Sequence, residues 1–126
     1  MHENRIAQAV VDIAYRLHCA LAPGVYENVF ETILEYELKK MGFECQRQLL
    51  CPIKWDDLEI RDAYKMDMLV GGKVILEIKS VEKLEKVHFK QLTTYLKLSE
   101  KKLGLLMNFG EEKINIKRIV NGLDDE

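Results

Sequence analysis

Apolar residues first recur at Ile6, Val10, Ile13 and Leu17, a spacing that lays one stripe along a helix. Pro23-Gly24 ends that pattern. A second helix is predicted over about residues 25–41, with Val29, Ile33 and Phe30, Leu34, Leu38 on its apolar side. Gly42 stands where a helix C-terminal glycine belongs. From residue 43 to 55 the period falls toward two, and Cys45, Leu49, Cys51, Ile53 and Trp55 share a parity, which predicts a strand. Asp56-Asp57 reads as a turn. A strand ending at Val70, a glycine turn and a strand over 73–80 follow, then a helix over about 86–98 with Phe89, Leu92 and Leu96 toward the core. Residues 103–109 are almost continuously apolar, as in a strand covered on both faces, and 114–120 make a last strand. The order ααβββαββ predicts an α/β domain, a mixed central sheet flanked by helices. No repeat or linker divides residues 1–126, so one domain is expected.

The most informative stretch runs from Tyr64 to Lys79 around Gly71-Gly72. A two-residue turn would set Asp67 opposite Leu76 and Met66 opposite Glu77, mixing polar and apolar side chains on both faces. A three-residue turn pairs Val70 with Val74, Met68 with Leu76 and Met66 with Ile78, an apolar face throughout. The hydrophobic pattern selects the latter. The opposite face then gathers Asp67 and Glu77, with Lys79 two residues along and Lys65 across from it. Adjacent carboxylates repel unless a cation lies between them. Oxygen ligands suit Mg²⁺ or Mn²⁺, and a lysine beside such an ion can orient water or stabilise charge developing on phosphorus. The competing reading is a salt-bridged, solvated sheet face.

Asp67 followed by Glu77-Ile78-Lys79 on the next strand resembles the PD-(D/E)XK nuclease signature, with Met66 in place of its proline. Gln91 and Tyr95, four apart on one helical face, resemble the QxxxY motif of RecB-like members. Residues 21–30, 87–96 and 103–109, in that order and spacing, resemble the GxxExxY protein family, a branch of the same superfamily. Phe30 replaces that family's final tyrosine, Ala22 a glycine, and Lys65 an arginine. The resemblance implies a restriction-endonuclease-like core and a metal site of Glu27, Asp67 and Glu77. It implies that Lys79, Gln91 and Tyr95 complete the catalytic set. From the residues alone, Glu27, Glu31 and Glu35 form an i, i+4, i+8 row that reads as a solvated helix face. His18 and His88 read as packing or capping residues rather than ligands.

Composition narrows the functional classes. The chain is 48% hydrophobic and 32% charged, the balance of a globular domain. It has no run long enough to cross a bilayer and no secretory leader, so a cytoplasmic location without membrane partners is expected. Three cysteines without a CxxC pair read as reduced thiols in small apolar roles rather than a zinc site. A net charge of -2 excludes a protein that coats nucleic acid indiscriminately. Residues 79–102 nevertheless hold seven Lys against three Glu, and Lys65, Lys83, Lys86 and Lys90 are candidate phosphate contacts. The expectation is a Mg²⁺- or Mn²⁺-dependent nuclease acting on DNA or RNA, with a homodimer left open. The alternative is a nuclease-like fold kept as a binding or regulatory module without turnover.

Overall fold

The computed structural model describes residues 1–125. Eight elements follow the expected order: α1 (Glu3–Leu21), α2 (Glu27–Lys40), β1 (Cys45–Trp55), β2 (Leu58–Val70), β3 (Val74–Lys79), α3 (Lys86–Ser99), β4 (Leu103–Asn108) and β5 (Asn115–Val120). The strands form one sheet in the order β1-β2-β3-β4-β5. β3 and β4 are parallel and joined through α3, while every other neighbouring pair is antiparallel. Among the described residues, no helix is long and apolar enough to cross a membrane.

The sheet separates two apolar layers. On one side α1 and α2 lay Ile6, Val10, Ile13, Phe30, Leu34 and Leu38 against Val70, Val74, Leu76 and Leu105. On the other, α3 packs Leu92 and Leu96 onto Leu69, Ile75 and Leu106. Gly104 of β4 lets α3 approach closely, because a Cβ there would lie 2.8 Å from a Leu92 methyl. His88 closes a capping box with Glu85 at the start of α3, and its Nδ1 accepts from the Glu85 N–H at 2.9 Å. His18 is buried, tilted against Phe109, and bonded through Nε2 to the Glu111 carbonyl at 2.8 Å.

The β2–β3 turn has three residues, pairing Val70 with Val74, Leu69 with Ile75 and Met68 with Leu76. Magnitude explains the choice. Each fully buried aliphatic side chain contributes roughly 1.5–3 kcal/mol, whereas a ladder hydrogen bond nets about 1 kcal/mol. A one-residue slip would exchange the faces of Met68, Val70, Val74, Leu76 and Ile78, all buried, for those of Asp67 and Glu77.

One expectation fails. Met66 does not share the face of Ile78; it packs with Leu69, Ile75 and Leu92 in the α3 layer. β1 changes sides in step, since Cys45 packs on the α1–α2 layer but Leu49 and Cys51 on the α3 layer. The cause is local. Pairing of β1 with β2 runs through Arg47↔Met68 and resumes at Leu49↔Met66, skipping the step between Gln48 and Asp67. Gln48 there holds a left-handed backbone, φ 49°. Strict alternation breaks at that residue, so parity cannot be carried through it.

Candidate active site

The β2–β3 ladder stops at Met68↔Leu76. One step further, the two carboxylates take over from the backbone. The Asp67 N–H donates to Glu77 Oε2 at 2.9 Å, and the Ile78 N–H donates to Asp67 Oδ2 at 2.8 Å. β3 meanwhile stays fully paired with β4, from Val74↔Leu103 to Lys79↔Asn108. Asp67 and Glu77 therefore sit where one strand leaves its neighbour, tied across the gap by each other's strand.

Glu77 is 2% exposed. Burial, reinforced by the charge of Asp67, pushes its pKa up to about 8, against the pull of the Asp67 N–H and Lys79. Asp67 is raised as well, chiefly by burial, with the Ile78 N–H, Lys79 and Lys65 acting the other way. Glu27 opens α2 and is raised by burial. The nearby charges of Lys79 and His88 lower it, and those of Asp67 and Glu31 raise it further. Beside it lies an open hollow of about 410 Å³ lined by Val25, Tyr26, Glu27, Asn28 and Ser80.

Lys79 is held from both sides. Its carbonyl accepts from Phe109 N–H at 2.8 Å. The amide of Asn108, fully buried, binds the backbone of Val81 through both N–H and C=O, at 3.0 and 2.9 Å. Burial, reinforced by the charges of Glu77 and Asp67, raises the pKa of Tyr95, and the Gln91 side chain acts the other way. The Tyr95 ring stacks on Tyr64 at 4.7 Å between centroids. Tyr64 in turn is pushed up to about 12, by burial and the neighbouring Cys51.

Of the residues singled out in the sequence, Asp67, Glu77, Lys79, Tyr95 and Gln91 come together. Glu27 lies within their electrostatic reach. Among the described residues, however, no three His, Cys, Asp or Glu side chains are grouped closely enough to cage an ion, so the tight set is a pair rather than a triad. Lys65 is exposed but acts on Asp67, whereas Lys83, Lys86 and Lys90 lie exposed on the loop after β3 and the first turns of α3. The donors fit a hard divalent cation. Each carboxylate gives one oxygen to a backbone amide and, among the described residues, keeps the other.

The sequence placed Glu31 with Glu27 and Glu35 on a solvated helix face, and the structure corrects that reading. Glu31 is 4% exposed and forms an ion pair with Arg47 at 3.0 Å. The signal was present, since Glu31 lies three residues before Leu34 and seven before Leu38, on their buried stripe.

The model of the PD-(D/E)XK nuclease superfamily matches residues 4–119. The chain belongs to that superfamily. Its five-stranded mixed sheet with helices on both sides is the restriction-endonuclease-like core of this PD-(D/E)XK domain. The crystal structure of SSO0001 superposes with a TM-score of 0.57 at 21% identity, over 96% of this chain and 63% of that one. That likeness concerns the fold, and the chain spans 63% of the length of its longer relative. No curated protein matches the chain.

Proposed function

We propose that this PD-(D/E)XK domain is a Mg²⁺- or Mn²⁺-dependent nuclease that hydrolyses phosphodiester bonds in DNA or RNA. One observation carries the reading: Asp67 and Glu77 face each other across the parting of β2 and β3, with Lys79 two residues along the same strand. Glu77, buried beside a second carboxylate and raised in pKa, is poorly stabilised in its charged form by the protein alone. Asp67 and Glu77 would hold the ion, with Glu27 closing on it from the start of α2. When bound, the ion supplies Lewis-acid charge at the phosphate. Lys79 would hold the attacking water and stabilise negative charge gathering on phosphorus, in a position fixed by Asn108 and Phe109. Tyr95, braced by Gln91 and Tyr64, would orient the substrate beside Glu77. Lys65, Lys83, Lys86 and Lys90 would meet the phosphate backbone. The motif-bearing segments 21–30, 87–96 and 103–109 support assignment to the GxxExxY branch.

Incubation with labelled single- and double-stranded DNA and RNA, with Mn²⁺, Mg²⁺ or EDTA, tests the proposal. The expected result is cleavage of at least one substrate, abolished by EDTA and by Asp67→Asn. Binding of a substrate without cleavage would instead favour a non-catalytic binding module.

A further inference from the structure

Glu31 is the buried carboxylate to which the mechanism gives no task. Its Oε1 accepts from Arg47 Nε at 3.0 Å, and both its oxygens accept from Gln48 Nε2 at 3.0 Å. Arg47 also reaches Glu35, at 3.5 Å. These contacts fasten α2 to β1 at the point where β1 departs from regular strand geometry.

Gln48 has φ 49°, a conformation that side chains other than glycine adopt at a cost of order 1–2 kcal/mol. Something must hold it. Gln48 also occupies the step skipped in the β1–β2 pairing, facing Asp67. On both strands the side chains change layers across this step, Cys45 to Leu49 on β1 and Met68 to Met66 on β2. Immediately across β2, the ladder to β3 ends and the exchange between Asp67 and Glu77 begins.

We propose that Glu31 is a positioning residue: through Gln48 it holds the kink in β1 that lets β2 part from β3 and turns Asp67 toward Glu77. The inference deepens the nuclease reading and rests on it for its purpose, but its geometric content does not depend on cleavage.

Amide hydrogen exchange reads that geometry directly, since the Asp67 and Ile78 N–H groups are those bonded to Glu77 and Asp67. Glu31→Gln keeps the size of the side chain and leaves Arg47 its contact with Glu35. It should lower protection at Asp67 and Ile78 by about tenfold or more relative to Leu69 and Ile75, and weaken Mn²⁺ binding by a similar factor. Gln48→Ala leaves the Glu31–Arg47 pair intact and should do the same, which guards against a folding defect in the first variant. In a Gln48→Gly background, where φ 49° needs no clamp, Glu31→Gln should cost markedly less at both amides. Unchanged protection in Glu31→Gln and Gln48→Ala, or a uniform fall across the whole sheet, would overturn the proposal. A selective fall in a protein whose wild type cleaves nothing would leave the positioning role standing and remove the nuclease reading.

Discussion

Lys79→Ala is expected to slow cleavage by 10² or more while Mn²⁺ affinity changes by less than about threefold. The reason lies in where Lys79 acts. Asp67 and Glu77 supply the ligand oxygens, whereas Lys79 contributes charge that matters most when the phosphorus centre becomes more negative. Loss of one preorganised donor at such a centre costs about 10²–10³ in rate. The backbone around Lys79 is fastened by Asn108 and Phe109, so the substitution should leave the site's geometry in place. Lys79→Arg should rescue poorly, because a planar guanidinium places its charge differently from a compact ammonium. Lys90→Ala, on the exposed face of α3, should instead weaken nucleic-acid binding modestly and more at low salt than at high. Single-turnover rates with Mn²⁺ separate the three variants. Equal rates for wild type and Lys79→Ala would remove the catalytic role.

Without a divalent cation, the domain is expected to lose stability as pH rises from about 5 to 8. Glu77 has a folded pKa of about 8 against an ordinary value of 4.5. In that window the folded state holds a proton that the unfolded chain has released, so raising pH favours unfolding; the slope vanishes above about 8. At about 1.4 kcal/mol per pH unit, the full effect is on the order of 4 kcal/mol. Glu77→Gln cannot ionise and should flatten the profile, becoming more stable than wild type at pH 8. A cation competes with the same proton. Mn²⁺ affinity should therefore climb by up to about tenfold per pH unit below 8 and level off above it. Melting curves at pH 5, 6, 7 and 8, with and without Mn²⁺, provide the check. A wild-type profile as flat as that of Glu77→Gln would contradict the shared, raised titration of the pair.

Much of this architecture was legible because burial imposes a period. The stripe from Ile6 to Leu17 and the helix around Leu92 are buried along the faces their spacing indicated, and the apolar run into Phe109 is covered on both faces. The hairpin register followed from the same rule, and that register alone sets Asp67 beside Glu77. Glu27 came only through the resemblance, because one carboxylate in an exposed-looking helical row carries no periodic mark. The face of Met66 was misread because alternation assumes a regular strand, and the left-handed Gln48 interrupts it. Glu31 was read as solvated for a related reason. A charge on a buried stripe is explained by its partners Arg47 and Gln48, which lie 16 and 17 residues away in sequence. The exchange of backbone bonds between Asp67 and Glu77 was also invisible, since it depends on two strands parting.

Mn²⁺ titration by calorimetry at pH 8, on wild type, Asp67→Asn and Glu77→Gln, tests the cation site most directly. Wild type should bind saturably, and each variant should lose about 100-fold or more in affinity, beyond what changes in outer-sphere partners cost. Affinities equal to wild type in both variants would place the cation elsewhere and contradict the assignment of Asp67 and Glu77 as its ligands.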